Sequence, residues 1–296
     1  MSSTNMQKPS YFWPVMALGV IGISFGSILI KLSTAQPLAI AFYRLLFSGL
    51  LMLPFYFRQP GPKRISLSDL GWIALSALFL SLHFVTWVYS LSFTSVTSSV
   101  VLVTINPLFV SILGWVFMRE KTGPRILIAI AVVVAGGAII GGRALAAGGM
   151  GNLGNFLALA GALMASGYLL TGRHLRKRLS LVTYTTICYS MTAVILLIAS
   201  LAAKTPLGGF PKINYLYFAL MAIGPQLLGH SVFNWGLKYL PTPRIAMLII
   251  AEPVGATILA FLVLKQVPSI FEMIGAVFIM AGVYISAQEG KEPAVS

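Results

Sequence analysis

The stretches VLVTINPLFVSIL, residues 101–113, and MLIIAEPVGATIL, residues 247–259, decide how this chain is read. Each is an apolar run broken once by a polar residue and a proline: Asn106-Pro107 in the first and Glu252-Pro253 in the second, 146 positions apart. The same shift of 146 lays Leu91 on Leu237, Phe93 on Tyr239 and Leu102 on Leu248. A one-residue slip brings His83 onto His230, and a shift of 141 brings Gly26 onto Gly167 and Tyr43 onto Tyr184. The match is loose residue by residue, but the polar outliers of one half coincide with those of the other.

Around these stretches, 296 residues with 58% hydrophobic and 9% charged side chains leave too little polar surface for a water-soluble globule. At about 20 apolar residues per crossing, the sequence predicts spans near 12–31, 37–57, 70–91, 96–118, 124–142, 152–171, 180–203, 213–237, 243–264 and 269–287. The expected fold is therefore an all-α membrane protein with ten transmembrane helices. Its predicted halves are an N-terminal five-helix repeat over 1–142 and a C-terminal one over 152–296, joined by a Gly/Ala-rich linker at 143–151 within GGRALAAGGMG. An odd number of spans per repeat turns the second half upside down relative to the first, the architecture in which secondary transporters hold a central site between halves. Tyr11 onward reads as a retained span rather than a cleaved leader.

The net charge of +14 would suggest nucleic acid in a soluble protein. Here the basic residues sit in short loops, where they report topology, with anionic lipid heads as a secondary partner. With a cytoplasmic N-terminus, fourteen Lys and Arg fall on the cytoplasmic side and five on the other, with Arg44 inside a span. Both termini are thus expected on the cytoplasmic side. Cys188 is the only cysteine, so no intrachain disulfide and no thiolate cluster can form. No cofactor and no metal are expected, and the oligomeric state is left open.

Polar groups at bilayer depth are costly and face a partner or a water-filled cavity. Glu252 is the one acidic residue near the middle of a span, since Asp69, Glu120, Glu272, Glu289 and Glu292 lie in loops or near span ends. It suits a cationic group or a proton, or else a structural hydrogen bond to broken backbone. Pro107 and Pro253 each remove an amide hydrogen, so they are candidate hinges beside Asn106 and Glu252. On the third span His83, Thr86, Trp87 and Ser90 follow helical spacing, and the eighth repeats the pattern with His230, Phe233, Asn234 and Leu237. Such stripes have the composition of a cavity wall, although packing explains the aromatics alone and a buried histidine is often a structural donor. Tyr168, Tyr43 and Gln226 are further lining candidates. Arg44, seven residues into its span, is expected to snorkel to the surface, the other reading being neutralisation of a substrate carboxylate. Gly22/Gly26, Ala158/Ala162/Ser166 and Gly137/Gly141 are packing surfaces.

The blocks Tyr89–Glu120 and Trp235–Gln266, the charged turns Arg119-Glu120-Lys121 and Lys265-Gln266, and the openings around Gly26 and Gly167 together resemble the drug/metabolite transporter superfamily, in its ten-span EamA-type branch. The resemblance implies a basket of helices whose third, fourth, eighth and ninth members surround a cavity. It also implies alternating-access export of a small-molecule substrate, and within the branch the chain is most similar to bacterial amino-acid exporters associated with aromatic substrates. Glu120 becomes Gln266 in the second half, so that position is not used symmetrically. Export of drugs or other metabolites is the alternative. An intramembrane aspartyl protease is excluded by the single Asp, a serine protease by the lack of a Gly-x-Ser-Gly site, and a sensor is disfavoured by the lack of a soluble signalling domain.

Overall fold

The computed structural model describes residues 8–60, 65–119, 122–147 and 150–287, and all of its regular structure is helical. In chain order the helices are α1 Phe12–Ser24, α2 Gly26–Leu32, α3 Pro37–Arg58, α4 Leu67–Phe93, α5 Val96–Val103, α6 Asn106–Met118, α7 Pro124–Ala147 and α8 Met150–Arg176. They continue with α9 Leu181–Ala202, α10 Lys212–Met221, a π-helical segment Ala222–His230, α11 Ser231–Gly236, α12 Thr242–Ile249, α13 Glu252–Leu264 and α14 Ile270–Ala287. Among the described residues, eight helical stretches are long and apolar enough to cross a bilayer, and Pro124–Ile139 and Ile270–Gly282 are shorter apolar ones. The outer surface carries exposed Phe57, Trp115, Phe117, Phe156 and Val277. A belt of that kind would aggregate in water and is solvated by lipid tails.

The two opening stretches fold alike. α5 ends at Val103 and α6 starts at Asn106, while α12 ends at Ile249 and α13 starts at Glu252. The prolines occupy the first turn of a new helix in both cases. A missing amide hydrogen costs nothing there, because the first-turn donors have no intrahelical partner. Each run then stops on a left-handed residue, Arg119 with φ 54° and Lys265 with φ 56°. The two broken runs cross reciprocally: α5 packs on α13, and α6 on α12.

Two features differ from the sequence expectation. The predicted linker is largely helix, since α7 runs to Ala147 and α8 begins at Met150, and Gly148 and Gly149 lie outside the described residues, as do Lys63, Arg64, Glu120 and Lys121. Asp69 belongs to the first turn of α4 rather than to a loop. It accepts the Ser66 amide at 2.8 Å in a capping box and pairs with Arg178.

The most extensive helix pairings are α4 with α8, α7 with α14, and α3 with α9. Glycines set the α7–α14 approach. A Cβ on Gly136 would stand 2.7 Å from the carbonyl oxygen of Gly275 and 2.9 Å from Phe278 Cβ, and one on Gly282 would stand 2.9 Å from the Ala129 carbonyl oxygen. Gly137, the expected packing residue, faces Ile105 at the α5–α6 break instead. Because backbone cannot yield as a side-chain tip can, Gly136→Val should destabilise by about 1–3 kcal/mol. The check is a lower melting temperature in detergent, whereas Gly151→Val, where no atom lies within 4 Å, should leave it unchanged.

Candidate functional site

Beside the two helix breaks lies a cavity of about 40 Å³ lined by His83, Trp87, Val103, Thr104, Asn106, Ala165, Tyr168, Leu169, His230, Ile249 and Glu252. Its wall follows the repeat. Val103 and Ile249 are the last residues before the two helix breaks, Asn106 and Glu252 the first residues after them, and His83 and His230 the aligned histidines. Pro107 and Pro253 are not in the wall. Each lacks the amide hydrogen that a continuous helix would send to the carbonyl four residues earlier, which belongs to Val103 or Ile249.

The two histidine rings meet edge to face with centroids 6.0 Å apart, and His83 stacks on Trp87 at 5.9 Å. Nδ1 of His83 donates to the Gly161 carbonyl at 3.0 Å, which leaves Nε2 as the acceptor of the neutral ring. Tyr168 lies 6.1 Å from His230, and its hydroxyl accepts from Asn234 Nδ2 at 2.6 Å. Asn234 also donates to the His230 carbonyl at 2.8 Å, so it orients the wall from behind rather than lining it. Phe233 is buried in the packing core. Thr86 donates to the Leu82 carbonyl at 2.8 Å, and Ser90 bonds the Trp87 carbonyl and Ser99. Of the two predicted stripes, then, His83, Trp87 and His230 reach the cavity, while Thr86, Ser90, Phe233 and Asn234 support or pack.

The eighth stretch holds a feature that helical periodicity cannot reveal. Ala222–His230 is π-helical around Pro225, and the widened turn lets Ser231 Oγ reach the Gln226 carbonyl at 3.3 Å and Tyr189 Oη at 3.0 Å. Gln226 faces inward and is fully buried. The only hint in the sequence was Pro225 inside an otherwise helical run.

Arg44 does not snorkel. It is 1% exposed, its Nε donates to Gln226 Oε1 at 2.9 Å, and its guanidinium lies 4.2 Å over the Phe84 ring. α9 and the π-helical segment, both packed on α3, enclose it. Tyr43, its neighbour, bonds the Leu207 carbonyl and stacks on Phe218, away from the cavity. Among the described residues no three His, Cys, Asp or Glu side chains come together as a metal site would require.

The chain matches the EamA-like transporter family over two segments, residues 11–142 and 152–288. It belongs to that family. It is accordingly a multi-pass membrane transporter, and relatives of similar length are named as transporters. An uncharacterized transporter of Archaeoglobus fulgidus is 24% identical, aligned over 89% of this chain and 92% of its own length. One of Clostridium kluyveri is 23% identical over 90% and 88%, and the uncharacterized transporter YyaM of Bacillus subtilis is 25% identical over 76% and 73%. A protein solved by crystallography superposes with a TM-score of 0.74 over 95% of this chain and 98% of that one. At 16% identity that likeness is one of fold.

Proposed function

We propose that this EamA-family protein exports amino acids, aromatic ones included, and related small metabolites across a bacterial inner membrane, as exporters of the YddG kind do. Ten crossings form two inverted five-helix repeats, 1–142 and 152–296, with both termini cytoplasmic, and the repeats alternately open a shared cavity to either side. The observation that carries this reading is the cavity beside the helix breaks, whose one carboxylate, Glu252, shares the wall with a neutral amide, Asn106, two imidazoles, Trp87 and Tyr168. Aromatic faces accept an apolar side chain in offset or edge-on geometry, while the carboxylate fixes a cationic end. The family assignment and the charge bias of the loops support the topology.

The test is uptake by liposomes containing the purified protein. Labelled aromatic amino acids are expected to equilibrate well above protein-free vesicles. A panel in which no amino acid moves, while cells carrying the protein gain resistance to toxic compounds, would transfer the assignment to drug or metabolite export.

A further inference from the structure

Arg44 is a cation in the bundle interior with no carboxylate of the described residues in ion-pair contact, Glu252 being the acidic side chain whose field reaches it. Its partners are the Gln226 side chain at 2.9 Å and the faces of Phe84 and Trp87, the latter with its centroid 6.0 Å away. Arg44 Nη1, Gln226 Nε2 and Trp87 Nε1 are buried and make no hydrogen bond of normal geometry, the Tyr189 hydroxyl being the polar group beside the Gln226 amide. All three are donors. Trp87 also borders the cavity, so this donor cluster adjoins the wall that carries Glu252. Elsewhere on the same cavity wall the bias reverses, because the buried atom without a partner on Asn106 is its acceptor oxygen. Buried polar atoms are normally satisfied, and a cluster of unmatched donors around a guanidinium calls for a ligand that only accepts. A carboxylate has that chemistry, and its planar pair of oxygens matches the guanidinium fork.

We infer that Arg44, with the Gln226 amide and the Trp87 indole N–H, receives the carboxylate of the transported molecule, while Glu252 and Asn106 face its ammonium group. This rests on the cavity being the substrate site, and it makes the carboxylate obligatory for recognition. Arg44 is then held inward to meet substrate, and Gln226 is the residue that positions it.

The decisive experiment needs no variant: displacement of labelled phenylalanine, or ligand-induced thermal shift, on the full-length protein with four probes sharing one aromatic side chain. These are phenylalanine, its carboxamide, phenethylamine and phenylpropionate. Phenylalanine should bind at least about tenfold more tightly than its carboxamide and phenethylamine, as loss of a charge-assisted contact implies. Arg44→Gln should erase that preference. Arg44→Lys should keep the charge and part of the preference, since a point charge replaces the fork. Equal binding of acid and amide by the unmodified protein overturns the inference, as does a preference that survives in Arg44→Gln or a panel in which nothing binds. Should phenylpropionate and other organic anions bind while no amino acid does, amino-acid export falls and the role of Arg44 stands. Should phenethylamine bind as well as phenylalanine, Arg44 loses its role and amino-acid export is judged by flux alone.

Discussion

Glu252→Gln is expected to stay folded and to lose roughly tenfold to a hundredfold of its transport rate at low substrate concentration, as loss of a hydrogen bond to a charged group of about 1.5–3 kcal/mol implies. Glu252 is 7% exposed, lines the cavity and starts α13 immediately before Pro253. A carboxylate offers an ammonium group acceptors only, whereas the amide of glutamine offers one acceptor and two donors that meet the ammonium badly. The two sequence readings of this residue part here. If Glu252 chiefly tied the broken backbone together, the substitution would remove a structural hydrogen bond, the melting temperature would fall, and flux would fall only in proportion to the folded fraction. As a ligand for substrate, Glu252 gives up binding without giving up packing, so the melting temperature holds or rises once a costly carboxylate leaves bilayer depth. Initial rates against substrate concentration, beside a thermal melt of the same preparation, separate the two. Unchanged rates at unchanged stability would remove Glu252 from the site.

The helix breaks and several residues of the cavity wall were legible because each is carried by an intrinsic violation of local pattern. A proline in an apolar run, a carboxylate at depth or a histidine with an aligned twin contradicts its surroundings, and Asn106, Glu252, His83 and His230 all line one cavity. Arg44 violated the pattern as well, but sequence gives depth along a helix and not direction around it. Snorkelling was expected from depth, whereas inward burial is set by Gln226 across 182 positions of chain. The π-helical segment, which packs on α1 and α3, was legible only as Pro225, because an extra residue per turn leaves no period in so short a run. Ala165 and Leu169 carried no signal, because apolar residues on an apolar helix look alike whether they face lipid, a neighbour or a cavity. The break between α1 and α2 at Phe25 has no proline and so left no mark in the sequence.

The size of the cavity yields the second large expectation. At about 40 Å³ it holds about three waters, taking 10–15 Å³ for each. Ligand pockets run to about 300–1,000 Å³, so the walls must separate for any amino acid to enter, and the broken helices α5–α6 and α12–α13 are the elements able to rotate without disrupting a continuous hydrogen-bond ladder. Ala165 presents a methyl group to this space from α8, one turn before Tyr168. Ala165→Trp should therefore reduce flux to the level of protein-free vesicles by occupying the volume that substrate needs. Its overpacking also costs stability, about 1–3 kcal/mol, so the same helix must supply a control. Leu163 faces an outer apolar groove of about 400 Å³ shared with Trp72, Phe79 and Phe117. That groove takes an indole, and Leu163→Trp should transport at nearly the unmodified rate. Loss of flux in both variants would mean that α8 tolerates no bulk on either face. A folded Ala165→Trp protein that still transports would show that substrate travels by another route, whereas loss confined to Ala165→Trp places the path between the two halves.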